Sequence, residues 1–231
     1  STTQTITVVD TTSPKLNAPE NITIDTESID TILEIGSASV SDIIDDSPSI
    51  TNDAPEVFPL GETIVTWTAT DDYENSISNT QSIVIIDTTS PTIAAPSDLQ
   101  IEAIHIEQNI VDLTGVRVSD QVEVSSITND APEVFPLGET IVTWTATDSS
   151  GNSASATQTI TVVDTTAPIL EQPENVIFNA TSKSKNVIDL QTLSATDSIS
   201  DVKITNDAPS YYSFGETIVT WTATDSSGNS A

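Results

Sequence analysis

The sequence predicts an all-β fold made of tandem β-sandwich domains in a linear array, from its repetition and its composition. The segment "GETIVTWTATD" begins at Gly61, Gly138 and Gly215, a step of 77 residues each time, and the chain of 231 residues is three such steps long. Thr, Val and Ile dominate the patterned segments, whereas Leu, Ala, Lys and Arg are sparse, which favours strands over helices. Each period is therefore expected to be one small domain with its own core.

Other repeated segments keep the same step and set the expected boundaries. "DTTSP" or "DTTAP" begins at Asp10, Asp87 and Asp164, and residues 49–71 are identical to residues 126–148. The repeats predict the last strand of a preceding or neighbouring-copy domain at 1–10, complete domains at 11–87 and 88–164, and a domain without its last strand at 165–231.

Side-chain alternation within "ETIVTWTATD" separates a core face from a surface face. The inward set is Val65, Trp67 and Ala69, and the outward set is Ile64, Thr66, Thr68 and Thr70. "TQTITVVD" carries the same inward apolar row at Ile6 and Val8, so it is the expected partner strand. "DSSGN" joins the two strands, with Gly151 supplying the positive φ of a hairpin turn. Upstream, "NITI", "TILEIGSASVSD" and "SPSITNDAP" predict further short strands, which indicates a sandwich.

The charge balance excludes several classes of function. The chain has 35 acidic residues against five Lys and Arg, a formal net charge of −30, which excludes a nucleic-acid or anionic-membrane surface. It has no cysteine, so neither disulfides nor thiolate metal sites are available. His105 is the only histidine and does not recur in the other periods, which argues against zinc or catalytic chemistry. We expect no enzyme and no membrane insertion in this segment.

The stretch "FPLGETIVTWTATDSSGNSASATQTITVVDTTAP" resembles the hyalin repeat, or HYR domain. The resemblance covers all three periods and is most specific over the second half of each. It implies an immunoglobulin-like fold and an extracellular adhesive or structural role. The cysteine pair of animal members is absent, which suggests a microbial type of repeat. The first period also departs from the pattern, because "DDYEN" places Glu74 where the other periods have glycine.

In an immunoglobulin-like topology, the linker after the last strand meets the B–C and F–G loops of the next domain. Acidic segments should therefore converge at each junction, and carboxylate and amide oxygens are ligands that calcium takes. At the first junction these residues are Asp10, Asp42, Asp45, Asp46, Asp71, Asp72 and Glu74. At the second they are Asp87, Asp120, Glu123, Asp148 and Asn152, and at the third Asp164, Asp197, Asp201, Asp225 and Asn229. The alternative is ordinary turn chemistry, in which Asp and Asn cap local backbone groups.

The expected function is the stalk or shaft of a head-to-tail filament at the cell surface, with further copies of the same repeat as partners. A ligand-binding or glycan-binding adhesin is the alternative, and an ice-binding threonine face is disfavoured because sandwich sheets twist. The sequons "NIT" at Asn21 and "NAT" at Asn179 predict glycosylation in a secreted protein.

The chain begins and ends at the same point of the 77-residue period, since its 231 residues are three whole periods. Two origins are open: the sequence is a window of a longer tandem-repeat polypeptide, or neighbouring subunits exchange a strand. In both cases the inter-copy strand is expected to contain Thr5, Ile6, Thr7, Val8 and Val9. Its expected neighbours in the preceding copy are Ile218, Val219, Thr220 and Trp221.

Overall fold

The computed structural model describes residues 1–26 and 28–231. All secondary structure in these ranges is β, which confirms the predicted fold class. Since none of the described residues is helical, no helix suited to crossing a membrane is found among them. The chain forms two compact units, and the boundary between them falls within the second repeat. The first unit contains residues 1–93, 118–128 and 145–155, and the second contains residues 94–117, 129–144 and 156–231.

The described residues of the first repeat contain eight strands. They are β1 (Lys15–Asn17), β2 (Ile22–Asp25), β3 (Asp30–Thr31), β4 (Ser39–Ser41), β5 (Ser49–Asn52), β6 (Phe58–Pro59), β7 (Gly61–Thr70) and β8 (Ser76–Ile86). One sheet has the order β2-β8-β7-β5, and β1-β4 and β3-β6 form two short pairs. In the four-stranded sheet β2 runs parallel to β8, while β7 is antiparallel to both β8 and β5.

Strands of the four-stranded sheet and of both short pairs contribute to an apolar core in the first repeat. Its buried members are Leu16, Phe58, Val65, Trp67, Ala69, Ile83 and Ile85. Ile64, which points the other way along β7, is 51% exposed. The alternation of the sequence thus identified both faces of β7, and the two layers around one core confirm the immunoglobulin-like sandwich.

A buried glutamine joins the core to two loops of the first repeat. The indole Nε1 of Trp67 donates to Oε1 of Gln81 at 3.1 Å. Nε2 of Gln81 in turn donates to the backbone oxygens of Glu20 at 2.7 Å and Ile35 at 3.0 Å. Because Gln81 has no exposed surface, these bonds satisfy polar groups that water does not reach.

The second repeat contains six strands: β9 (Thr92–Ala94), β10 (Leu99–Glu102), β11 (Arg117–Ser119), β12 (Val124–Asn129), β13 (Gly138–Asp148) and β14 (Ser153–Val163). Its main sheet has the order β10-β14-β13-β12, and β9 pairs with β11. The order matches the first repeat strand for strand. The tryptophan–glutamine contact also recurs, because Trp144 Nε1 donates to Gln158 Oε1 at 3.3 Å.

The third repeat has four strands: β15 (Ile169–Leu170), β16 (Ala195–Thr196), β17 (Val202–Asn206) and β18 (Trp221–Asp225). β17 pairs antiparallel with β18, and β15 pairs with β16. Residues 215–220 have the same sequence as residues 61–66, yet only the latter lie in a strand. The repeated sequence alone therefore does not make these residues a strand. The physical reason is strand pairing. β7 pairs along its length with β8, whereas no described segment pairs with residues 215–220.

The hairpin turn of the first repeat keeps its shape without glycine. Glu74 has a φ of 70°, close to the 94° of Gly151 in the second repeat. Its amide donates to the Asp71 carbonyl at 3.2 Å, as the Gly151 amide does to the Asp148 carbonyl at 3.4 Å. A non-glycine residue with positive φ is unusual, so the surrounding hydrogen bonds hold Glu74 in this conformation.

Residues 1–9 belong to no strand, and all of them are exposed. Ile6 is 79% and Val8 91% exposed, although both occupy positions that are buried in β8 and β14.

We predict that Gln81→Leu destabilises the first repeat by about 2–3 kcal/mol, because it leaves the buried Trp67 indole and the backbone carbonyls of Glu20 and Ile35 without this hydrogen-bond partner. The measurement is urea denaturation of the whole chain. Gln100→Leu is the matched control, since Gln100 is exposed on β10, and its effect should stay within about 0.5 kcal/mol. Equal stability of the two variants would contradict the structural role of the buried glutamine.

Candidate metal centres

Three groups of aspartates, one in each repeat, bring carboxylate oxygens within 4.8 Å of one another. Every group combines three aspartates. One lies before the first strand of the repeat, one directly follows the strand that pairs with that first strand (β4, β11 or β16), and one lies at the hairpin turn. The groups are Asp10, Asp42 and Asp71; Asp87, Asp120 and Asp148; and Asp164, Asp197 and Asp225. We call them the first, second and third acidic clusters.

The hairpin aspartate is held by the asparagine that ends its own turn. Asp148 Oδ1 accepts from the Asn152 amide at 2.8 Å, and its Oδ2 accepts from Asn152 Nδ2 at 2.9 Å. Asp225 and Asn229 repeat both contacts at 2.8 Å. The spacing of Asp and Asn in "DSSGN" therefore fixes the orientation of the carboxylate.

The same asparagine reaches the linker aspartate. Asn152 Nδ2 donates to the Asp87 carbonyl at 3.1 Å, and Asn229 Nδ2 donates to the Asp164 carbonyl at 3.1 Å. Oδ1 of Asp87 accepts from the Thr89 amide at 2.9 Å. In both clusters the hairpin and the linker are thus already joined through an amide side chain.

The third aspartate of each cluster caps its own loop. Asp120 Oδ1 accepts from the Val122 amide at 2.8 Å, and Asp42 Oδ1 accepts from the Ile44 amide at 2.8 Å. Asp197 Oδ1 accepts in the same way from two successive amides. This is ordinary turn chemistry, and it coexists with the clustering, because each of these bonds occupies one carboxylate oxygen.

Burial and hydrogen bonding act in opposite directions on the hairpin carboxylates. Asp148 is 2% exposed, and Asp71 and Asp225 are also buried. Burial disfavours the charge of Asp148, but hydrogen bonds from the Asn152 side chain and from backbone amides outweigh it and hold its pKa below the ordinary value. The pKa values of Asp71 and Asp225 are lowered in the same way, by bonds from Asn75 and Asn229. These carboxylates are therefore anionic at neutral pH.

One oxygen in the first cluster has no partner within the described part of the chain. Asp10 Oδ2 is buried and accepts no hydrogen bond, whereas Asp10 Oδ1 accepts from the Thr12 amide at 3.0 Å. All three clusters offer carboxylate oxygens and contain neither sulfur nor imidazole. This donor set suits a hard cation such as calcium.

Several residues expected at the junctions lie outside the three clusters, as far as the described residues show. They are Asp45, Asp46, Asp72, Glu74, Glu123 and Asp201. Asp45 Oδ2 accepts from the Asp72 amide at 3.0 Å. Glu123 and Asp201 contribute backbone oxygens, which accept from Ser149 and Ser226. The sequence predicted the right loops, but not which acid of each loop faces the others.

The sequon asparagines lie on the surface. Asn21 and Asn179 are both exposed. Asn21 Oδ1 accepts from the Ser82 amide at 2.9 Å. Glycosylation at these positions stays a prediction.

The outward threonines find partners on the neighbouring strand. Thr68 and Ser78 lie 2.9 Å apart through their hydroxyl oxygens, and Thr145 and Ser155 lie 3.1 Å apart. Such cross-strand pairs stabilise the sheet, which accounts for the threonine rows without a ligand.

Comparison with known proteins identifies the repeat. The HYR domain family model matches residues 86–162, which is one 77-residue period. The chain is 35% identical to hyalin from Lytechinus variegatus, with 96% of the chain and 46% of that protein covered. It is 33% identical to hyalin from Strongylocentrotus purpuratus, with 96% of the chain and 20% of that protein covered. The chain thus spans less than half the length of either relative.

Among solved structures, the chain matches Drosophila N-cadherin EC1-4 with a TM-score of 0.34 and 16% identity, over 95% of this chain and 73% of that one. Residues 86–162 thus match the HYR domain family, and the chain is similar to two hyalins over 96% of its own length.

Proposed function

We propose that this chain is part of an extracellular adhesive or structural repeat protein, the shaft of a surface filament, in which calcium stiffens the connection between successive repeats. The observation that carries the proposal is the convergence of three aspartates, from three separate segments, in each of the three acidic clusters. The three-domain organisation and the linear arrangement of domains are part of the same proposal.

The electrostatics of the clusters favour a bound cation. Three carboxylates within 4.8 Å repel one another, and the hydrogen bonds described above keep the hairpin aspartates ionised instead of neutralising them. The whole chain has only five Lys and Arg for 35 acids, so protein cations are scarce. A divalent ion relieves this repulsion, and it gives Asp10 Oδ2 the partner that the described residues do not provide.

The ligand set supports weak, extracellular-type binding. Calcium takes six to eight oxygen ligands, and three carboxylates with backbone carbonyls and water can provide them. We expect dissociation constants of about 0.1–1 mM. Such sites are filled at extracellular calcium concentrations and respond to their changes.

The positions of the ligands explain how binding would act mechanically. Asp87 directly follows β8 of the first repeat, whereas Asp120 and Asp148 belong to loops of the second repeat. One ion bound to all three therefore ties the linker to the two loops and removes the freedom of the linker to bend. Asn152 already bridges Asp87 and Asp148, so the ion strengthens a connection that exists without it.

The first prediction concerns the particle as a whole. Calcium should increase the maximum dimension and radius of gyration of the chain in small-angle X-ray scattering, relative to chelator. The control is magnesium at equal ionic strength, which demands stricter octahedral geometry and should have a smaller effect. Identical scattering in calcium and chelator would contradict stiffening.

The second prediction distinguishes the clusters from acidic loops in general. Asp197→Asn should remove one calcium site of three, seen as reduced stoichiometry in isothermal titration calorimetry, because Asp197 belongs to the third cluster. Asp201→Asn changes the same charge four residues later in the chain, at an exposed side chain, and should leave the stoichiometry unchanged. Equal losses for both variants would assign the effect to overall charge.

The third prediction follows from the lowered pKa values of Asp71, Asp148 and Asp225. Their contribution to stability is complete above the unfolded aspartate pKa of about 3.9 and is lost as the pH falls through the still lower folded pKa. Calcium affinity should therefore stay constant between about pH 7 and pH 5 and decline only below about pH 4. Calcium titrations across this range provide the test. A decline that begins near neutral pH would mean that repulsion raises these pKa values.

A further inference from the structure

We infer that the acid at the end of the short parallel strand, Asp25 in the first repeat and Glu102 in the second, is a positioning residue for the linker aspartate of the next acidic cluster. The inference rests on the proposed function, because it concerns calcium binding at those clusters. Within the described residues neither acid belongs to a cluster, so neither is a candidate ligand. Each instead binds the residue that directly follows the linker aspartate.

The short parallel strand of the second repeat ends beside the linker. The register of β10 and β14 places Glu102 opposite Val163, the last residue of β14. One residue further along, the Ala103 amide donates to the Val163 carbonyl at 2.7 Å. Because Asp164 directly follows Val163, the backbone pairing brings the Glu102 side chain to the first residues of the linker.

The Glu102 carboxylate holds the linker through three hydrogen bonds. Its Oε1 accepts from the Thr165 amide at 2.8 Å, and its Oε2 accepts from the Thr165 hydroxyl at 2.9 Å. The Thr166 hydroxyl donates to Oε1 at 3.3 Å. The bond from the Thr165 amide is the main cause that holds the pKa of Glu102 below its ordinary value, so the carboxylate is anionic at neutral pH. We call this contact the linker clamp.

The linker clamp acts on the residues next to a member of the third cluster. Thr165 directly follows Asp164, and the Thr166 amide donates to Asp164 Oδ1 at 3.1 Å. The Asp164 carbonyl accepts from Asn229 Nδ2, also at 3.1 Å. The backbone around Asp164 is therefore held by Glu102 through the two threonines and by the asparagine of the hairpin.

The first repeat makes the same contact with a shorter acid. Asp25 lies 77 residues before Glu102, and its Oδ1 accepts from the Thr88 amide at 3.2 Å. Its Oδ2 accepts from the Thr88 hydroxyl. Thr88 directly follows Asp87, the linker member of the second cluster. The two acids differ in length, so the common feature of the position is a carboxylate that binds the linker.

A linker that is ordered before the ion arrives should bind calcium more tightly. Fixing the backbone of a free residue costs conformational entropy, and binding to a mobile ligand carries that cost. The linker clamp removes it, because the residues beside Asp164 are already held in place. Loss of the clamp at Glu102 should therefore weaken the third cluster and leave the second unchanged.

The first test compares calcium affinities cluster by cluster in the whole chain. The side-chain amides of Asn152 and Asn229 lie in the second and third clusters, so their NMR signals give a separate dissociation constant for each. Glu102→Ala should raise the dissociation constant of the third cluster at least about fivefold and change that of the second by less than about twofold. Equal constants for the variant and the parent chain at the third cluster would overturn the inference.

Two further variants separate positioning from charge. Glu107→Ala removes the same charge from an exposed side chain nearby in the chain, and it should change neither constant by more than about twofold, since exposed charges are screened. Glu102→Asp keeps the carboxylate on the side chain that makes this contact at Asp25, so it should restore most of the affinity that Glu102→Ala loses. An equal loss in Glu107→Ala, or no recovery in Glu102→Asp, would contradict a positioning role.

The linker hydroxyls allow a test that changes no charge. The variant Thr165→Val, Thr166→Val removes two of the three hydrogen bonds to Glu102 and keeps the bond from the backbone amide. It should weaken the third cluster in the same direction as Glu102→Ala and by a smaller factor. Asp25→Ala is the reciprocal variant and should weaken the second cluster alone. Loss of affinity at the third cluster in Asp25→Ala would contradict the assignment of each acid to its own linker.

Amide hydrogen exchange tests the linker clamp without calcium. In chelator the Thr165 amide should exchange at least about tenfold faster in Glu102→Ala than in the parent chain, because its acceptor has been removed. Unchanged exchange would overturn the inference whatever the calcium titrations show. If the parent chain binds no calcium at the second and third clusters, the proposed function fails and the inference fails with it. If the parent chain binds calcium and Glu102→Ala binds it equally well, only the inference fails.

Discussion

The last strand of the first and second repeats, β8 and β14, is the element on which their cores and the next acidic cluster both depend. β8 pairs with β2 on one side and β7 on the other, and it supplies Gln81, Ile83 and Ile85 to the interior. It also delivers the chain to Asp87, the linker member of the second cluster. A central strand must satisfy hydrogen bonds on both edges, so its loss removes two ladders and one row of core side chains together.

The local sequence predicts the structure where the alternation of apolar and polar side chains determines it. It does not predict the structure where pairing with another strand determines it. The faces of β7 follow from the positions of Val65 and Ile64, because one face of a half-buried strand must be apolar. Residues 215–220 show the limit, since their sequence is that of β7 but no strand of the described residues pairs with them. β-structure depends on tertiary partners more than helices do, so identical segments adopt different structures in the same chain.

The clusters were predictable at the level of loops and not of individual side chains. Topology brings the linker, the loop and the hairpin to one end of a sandwich, which is why Asp120 and Asp148 could be named from sequence. The choice of Asp197 over Asp201 depends on backbone caps within a single turn, and sequence pattern does not encode that geometry. The burial of Gln81 could also have been predicted, because Gln81 occupies an inward position on β8. A polar residue at such a position is ordinarily treated as an exception to the apolar pattern.

The identity of one long segment in the first two repeats carries a cost during folding. Residues 49–71 and 126–148 are interchangeable in sequence, so β7 and β13 can each pair with the strand that belongs to the other. Neighbouring domains of high identity misassemble in this way more readily than divergent ones. The partner strands differ, "SISNTQSIVII" against "SASATQTITVV", and so do the first halves of the repeats. This divergence includes the strands that pair with β7 and β13, and it therefore disfavours mispaired states.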